Sequence, residues 1–338
     1  MQRVSLKDIA RMAKVSPSTV SFVLNGKAAK MRISKTVADK IIAVAKKSGY
    51  HPNQVAVSLR TGQTKILGLL VEDISNNFFA SLARIIEDES KKYGYKVLYC
   101  STENDLVRGR ELIRVLSQRQ VDGYIIVPTQ GMEKDIQQLV AHNKPVVLMD
   151  RYFPNVDVPY VLVNNYEGVC LGMEHLLNKE YLKIGFVTVD IDLIQMKERM
   201  KGYVNALRAR KLPVQKRFIL KLRYDLPRDR GVRDIRSFIK KNNDLEAIFF
   251  STNYLGILGL ESIKELELEI PRDIAIVCFD DHDIFQLFPP GITAIKQPVE
   301  EIARTAIELL MHQLNPGDKK FKKNKFQIAA KFTLRGST

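Results

Sequence analysis

The chain has 338 residues, 45% of them hydrophobic, and a formal net charge of +15 at pH 7. That length suits two or three domains with real cores and excludes a miniature scaffold. The charge is unevenly placed: Met1 to Lys65 holds 13 Lys or Arg against two acids, a net +11, which leaves +4 for the remainder and points the first fifth toward a polyanion, either nucleic acid or an anionic membrane face.

In chain order, Ser5 and Asp8 have the spacing of a capping box, ahead of a short helix with Ile9, Ala10 and Ala13 on one face. Ser16 can cap a second helix with Pro17 at its first position. Val20, Val23 and Leu24 form the inward stripe of that helix, Ser18, Ser21, Phe22 and Asn25 face solvent, and Asn25-Gly26 ends it. A third helix over about 34–47 buries Val37, Ile41, Ile42, Val44 and Ala45, so three short helices share one small core. The stretch from Tyr50 to Gln63 holds helix formers between a Pro and a Gly, too few to stand alone in water.

From Lys65 the rhythm changes. Strand-length apolar runs occupy 66–73, 95–102, 123–129, 146–150, 160–164, 183–189, 218–222, 247–252, 274–280 and 293–298, with amphipathic helical stretches between most of them. Near-continuous Val/Ile/Leu runs separated by helices describe parallel sheets covered on both faces, and ten strands divide better into two lobes than one sheet. The expected ligand site is a cleft beyond the carboxyl ends of the strands. The acid-poor stretch "NPGDKKFKKNKF" reads as a solvated loop before the last strand.

Cys100, Cys170 and Cys278 lie in apolar stretches without metal-ligand spacing and read as small buried hydrophobes in a reducing compartment. No run of about 18 apolar residues occurs, so neither a secretory signal nor a membrane span is expected, and the protein is expected to stay inside the cell. The five His residues (51, 142, 175, 282, 312) show no ligand spacing. Catalytic residues, metal and cofactor are all expected to be absent, so the chain does not read as an enzyme.

Two helices and a tight turn in a strongly basic segment fit a helix-turn-helix whose second helix enters the major groove of DNA. Lys and Arg would neutralise phosphates while Pro17, Ser18 and Phe22 read base edges, Ser18 by hydrogen bonding and the other two by packing on a thymine methyl. The alternative for Phe22 is that it closes the helical core from outside.

The runs "LKDIARMAKVSPSTVSFVLNG", "SGYHPNQVAVSLRTGQT" and "ILGLLVEDISNNFFASLARIIEDESKKYGY" resemble the lactose/galactose repressor (LacI/GalR) family. The likeness continues through "QRQVDGYIIVPT", "VNNYEGVCLGMEHLL" and "PPGITAIKQPVEEIARTAIELL". "VLNGKAAKMRIS" is similar to the fructose-repressor branch and "VEDISNNFFASLARIIED" to the catabolite-control branch. The resemblance implies a small all-α helix-turn-helix headpiece plus an α/β periplasmic-binding-protein-like body of two doubly wound parallel-sheet lobes. The implied segments are a headpiece over 1–50, a hinge over 51–63, a first lobe over 64–162 with 293–325, and a second lobe over 163–292 with 326–338.

Carried onto matching positions, the resemblance implies contacts to the DNA backbone from Ser5, Leu6, Lys7, Thr19, Ser21, Asn25, Arg32, Ser34 and Asn53. A hinge helix from Asn53 to Arg60 would fold when two subunits meet on DNA, with Leu59 as a minor-groove wedge and Val55 and Ala56 facing the partner. Phe78, Phe79, Asp150, Arg199, Asn253 and Asp280 would hold a small sugar or sugar phosphate effector. The implied protein is a sequence-specific transcriptional regulator, a repressor, that binds palindromic operator DNA as a homodimer under allosteric control, in the bacterial cytoplasm with the nucleoid. A protein corepressor is a further implied partner, as in the catabolite-control branch. The alternatives are a solute-binding or sugar-sensing protein of the same fold, and a non-specific chromatin-type binder. Tyr254 stands where many members carry an acid, and the chain contains no Trp.

Overall fold

The computed structural model describes residues 4–50, 54–315 and 323–338. The chain divides into two compact units, residues 1–64 and 65–338. In the first, α1 (Leu6–Ala13) begins at a complete capping box: the Ser5 hydroxyl accepts from the Asp8 amide, and the Asp8 carboxylate accepts from the Ser5 amide at 2.9 Å. Lys14 ends it in the left-handed region. Ser16 caps α2 (Pro17–Leu24), and Ser34 caps α3 (Lys35–Lys47). Ile9, Ala10, Ala13, Val20, Val23, Ile41 and Ala45 form the core, with Leu24, Val37 and Val44 packed on it half-buried.

Ile42 does not join this core. It is 51% exposed, because it follows Ile41 by one residue and so lies about 100° further round the helix than the face that buries Ile41 and Ala45. The last helix of the unit, α4 (Gln54–Thr61), covers the expected hinge shifted by one residue. Thr61 Oγ1 donates to the Val57 carbonyl at 3.0 Å and Gly62, at φ +70°, donates its amide to Ser58 at 2.7 Å. Asn53 lies outside the described residues, as do the side chains of Val55 and Ala56.

The second unit opens with β1 (Ile66–Val71), α5 (Asn77–Lys92), β2 (Lys96–Ser101), α6 (Leu106–Gln118), β3 (Gly123–Ile126), α7 (Glu133–Ala141), β4 (Val146–Met149) and β5 (Tyr160–Val163). It continues with α8 (Asn165–Asn178), β6 (Ile184–Val189), α9 (Ile194–Ala209), β7 (Ile219–Leu222), α10 (Arg228–Lys241), β8 (Ala247–Phe250), α11 (Asn253–Glu265) and β9 (Ala275–Phe279). The chain closes with α12 (Asp283–Leu287), β10 (Thr293–Lys296), α13 (Val299–Leu314), β11 (Lys325–Ile328) and β12 (Lys331–Thr333).

Two six-stranded sheets result, ordered β11-β5-β4-β3-β1-β2 and β12-β10-β9-β8-β6-β7, with β12 the one antiparallel strand among those described. All ten expected strands are present. Several stop short at their carboxyl ends, where Asp150 and Asp280 leave the ladder at φ +66° and +68°. The expected lobe boundaries need correction. Residues 293–296 pair with β9 in the second sheet, because Ala294 and Ile295 fill a fully buried place between β9 and β12. Residues 325–328 pair with β5 in the first sheet. The chain therefore crosses between lobes after β5, after β10 and after β11, and α13 packs back against α5 and the first sheet.

Cys278 is buried, whereas Cys100 and Cys170 are half-buried rather than buried as expected, Cys100 because β2 is an edge strand and Cys170 because it lies on helix α8, part-way out of the core. Among the described residues, no helix is long and apolar enough to cross a membrane and no cluster of His, Cys, Asp or Glu could hold a metal ion.

Candidate functional site

Two sets of side chains stand out. In the first unit, Pro17 and Ser18 are exposed at the start of α2, and Ser21 and Phe22 are half-buried one turn on. Phe22 is not among the apolar residues packed on the three-helix core. The Ser16 hydroxyl lies 2.8 Å from that of Ser18 and 2.7 Å from that of Thr19, fixing the start of the helix, and Asn25 donates to the Ser21 carbonyl at 2.6 Å. Lys7, Arg32, Ser5 and Ser34 are exposed, and Leu6 and Thr19 are half-buried. Leu59 on α4 is 79% exposed, an unusual place for a large apolar side chain in so short a helix.

The second set lies in the cleft of the larger unit. Asp150 follows β4 and Asp280 follows β9, so each lobe offers one carboxylate from the carboxyl end of a central strand. Left-handed backbone at a non-Gly residue is costly and clusters at functional sites. Arg199, only 2% exposed, is reached from α9 and bridges the second lobe. Its Nε donates to Asn165 Oδ1 at 2.8 Å, and its Nη1 donates to the Ser251 carbonyl at 2.5 Å and to Asp280 Oδ2 at 3.2 Å. The guanidinium also stacks 3.7 Å from the centre of the Phe279 ring. Gln297 holds the other Asp280 oxygen. Close packing sets this geometry, since at Gly202 on α9 a Cβ would meet the Tyr166 carbonyl of α8 at 2.8 Å.

Asp150 has a different environment. Arg151 Nε donates to it at 3.3 Å and Gln195 Nε2, from the opposite lobe, at 3.4 Å. Burial pushes its carboxyl up to about 7, against the pull of Arg199 and with the push of Asp280. Arg151 is spoken for: it pairs with Glu72 and donates to Asn104 Oδ1 at 2.6 Å and the Pro128 carbonyl at 3.4 Å, and burial lowers its pKa to about 10. The Tyr224 and Tyr254 hydroxyls are pushed up to about 12 by burial.

Phe78, Phe79, Asp150, Arg199 and Asp280 line one cavity. Phe79 also belongs to the core, and Phe78 meets it edge-on with ring centroids 5.0 Å apart. Asn253 is the exception. It is buried beside the cavity mouth and donates to Asn76 at 3.4 Å across the cleft, leaving Thr252 and Tyr254 on the cavity wall. The free volume at these residues is about 50 Å³, less than a sugar-sized ligand fills, so binding one requires side chains or lobes to move.

Sequence reasoning missed Glu72, Arg151, Gln195, Tyr224 and Gln297 on the same wall. Glu72 and Arg151 carried a readable signal, each being a charge placed just after an apolar strand. Gln195 and Arg199 stand four apart on one helix face that continues into buried Tyr203, a polar pair where periodicity alone predicts apolar contact. His282 caps α12 through its Nδ1 and takes no part in the wall.

A helix-turn-helix unit with a basic surface and a two-lobed α/β body with charges converging on an interlobe cleft are the parts of a DNA-binding regulator with a ligand-binding domain. Comparison with known proteins agrees: residues 5–53 match the model of bacterial regulatory proteins of the lacI family, and residues 173–338 match a periplasmic binding protein-like domain. The chain is 30% identical to a ribose operon repressor of Haemophilus influenzae over 93% of both proteins, and 28% identical to the HTH-type transcriptional repressor PurR of Aliivibrio salmonicida over 98% of both. The crystal structure of the lac repressor dimer bound to operator and the anti-inducer ONPF is similar, with a TM-score of 0.86 over 99% of each chain at 19% identity. The protein belongs to the LacI family of DNA-binding transcriptional repressors.

Proposed function

We propose that the protein binds a near-palindromic operator as a homodimer and that a small carbohydrate-like effector in the interlobe cleft sets its affinity. The observation that carries this reading is the pair of strand-end carboxylates, Asp150 and Asp280, facing one cavity from opposite lobes with Arg199 beside them. A ligand bridging both would change the lobe separation, and it moves DNA affinity by its preference between the two states, about 1–3 kcal/mol for a typical effector. A relative named for a ribose operon supports a sugar-class ligand.

On the DNA side, Pro17, Ser18 and Phe22 read bases, the residues named with them hold the backbone, and Leu59 enters the minor groove. The exposure of Leu59 supports this role. An eight-residue helix is marginal alone in water, so α4 gains stability from a second copy and from DNA. Homodimerisation is further supported by the first sheet's edge strand β2, which carries exposed Leu98 and Tyr99. Regulation, not catalysis, is the activity. Selecting bound fragments from fragmented genomic DNA and titrating salt tests it: a palindromic site should emerge, with a slope near −0.9 per phosphate contact. Equal affinity for all fragments, or full-strength binding by a single subunit, would overturn it.

A further inference from the structure

We propose that the first lobe holds DNA in its own right: the edge formed by the amino ends of its parallel strands binds the phosphate backbone of duplex flanking the operator, through Lys65, Lys96, Arg119 and Lys323; this rests on the reading of the helical unit as the operator binder. The strands of the first sheet all run the same way, so their amino ends share one edge. Lys65 precedes β1 and Lys96 opens β2. Arg119 and Lys144 lie in the turns before β3 and β4, and Lys323 and Lys325 stand at the start of β11. In the order β11-β5-β4-β3-β1-β2, every strand but β5 thus brings a cation to this edge. At about 4.8 Å per strand the row is about 24 Å long, and a duplex presents one phosphate charge per about 1.7 Å of axis along such a length.

The acids in these turns, Asp122 and Asp157 among the described residues, are engaged: Asp122 accepts from the Lys65 amide at 2.9 Å and Asp157 pairs with Lys325 at 3.0 Å. Lys144 is half-buried and donates to the Val121 carbonyl at 3.3 Å. Lys91 and Lys92, in the last turn of α5, are neutralised by Glu87, Asp88 and Glu89. Lys96, Arg119 and Lys323 differ from all of these, being exposed and without an ion-pair partner among the described residues. Lys65 is exposed too, its Nζ 4.3 Å from the centre of the Tyr95 ring. A cation that ends a helix complements the helix dipole, which accounts for Arg119 at the end of α6. Lys65, Lys96 and Lys323 precede or open strands and have no such role.

Connectivity selects DNA as the occupant. The chain enters this same edge directly from the helical unit: Thr61 ends α4 and Ile66 begins β1, a link that spans at most about 17 Å even when extended. A duplex gripped by the helical unit is therefore tethered close to the row, whatever the orientation of the two units. Phosphate contacts of this kind add affinity and salt dependence without reading sequence.

The test compares the selected operator with about one helical turn of flanking duplex on each side against the same operator trimmed to its core, by anisotropy of the full chain between about 50 and 200 mM salt. The flanked duplex should bind at least about tenfold more tightly at low salt, with a steeper slope. The triple variant Lys96→Gln, Arg119→Gln, Lys323→Gln should lower the slope on the flanked duplex by about 0.9 for each cation removed, erase the difference between the two duplexes and leave the trimmed one bound as before. These side chains are exposed, so their loss costs little stability. A control variant, Lys211→Gln, Lys240→Gln, Lys241→Gln, removes the same charge from exposed positions of the second lobe and should retain the flank effect. Equal binding of both duplexes by wild type, or equal losses in the two variants, overturns the inference and leaves the operator reading standing. Absence of any selected site overturns both.

Discussion

The two units of the chain use charge in opposite ways. Among the described residues of the helical unit the cations are exposed, the core is seven small or medium apolar residues, and the base-reading candidates stand outside that core. In the body the cleft charges Asp150, Arg151, Arg199 and Asp280 are buried and held by partners from other elements of the fold. Exposed charges act at a distance and cost little to replace, whereas buried ones carry stability and function together. Mutations should therefore separate cleanly by unit.

The largest effect is expected at Arg199. Arg199→Ala leaves Asp280 buried without its cation, and breaking such a pair costs about 3–5 kcal/mol. Denaturant unfolding should register that loss, and a change below about 1 kcal/mol would mean the pair is more hydrated than its burial suggests. Next comes the pH dependence of Asp150. Its folded pKa, near 7, lies above the unfolded value, so the folded state holds the proton more tightly. The body should be most stable below the unfolded pKa and lose stability, by at most about 1.4 kcal/mol per pH unit, as pH rises through 7. Asp150→Asn should abolish that slope, and an unchanged melting profile between pH 4 and 8 would contradict the assignment.

Smaller effects belong to the helical unit. Phe22→Ala should reduce discrimination at one base position by about 1–3 kcal/mol with little loss of stability, which a binding-site selection would reveal. Retained selectivity together with a large drop in melting temperature would place Phe22 in the core instead. Arg32→Ala should weaken every sequence alike and lower the salt slope by about one, and a sequence-dependent loss would make Arg32 a base reader.

Local patterning made most of the fold readable. Capping residues Ser5 and Ser16, the N1 proline and the Val/Ile/Leu runs each act within a few residues, and the helices and strands they predict are present. What failed was non-local. Nothing in "TAIKQP" says which sheet receives it, since both need an apolar strand, and only the pairing with β9 and β12 decides. Ile42 was misplaced because an unbroken apolar pair hides which member faces inward. In the cleft, Asp150 and Asp280 came from the family resemblance, at places where carboxylates end apolar runs. Gln195 and Gln297 were not visible, because an uncharged amide gains meaning only from the carboxylate it meets across the fold.

The central claim is that occupancy of the cleft changes the grip on DNA. Its most direct test is fluorescence anisotropy of the selected operator against the wild-type chain and the Arg199→Ala variant, each with and without a calorimetrically verified cleft ligand. The account predicts a ligand-dependent shift of about 5- to 150-fold in wild type and none in the variant. Identical operator affinity in wild type with the cleft filled and empty would contradict it.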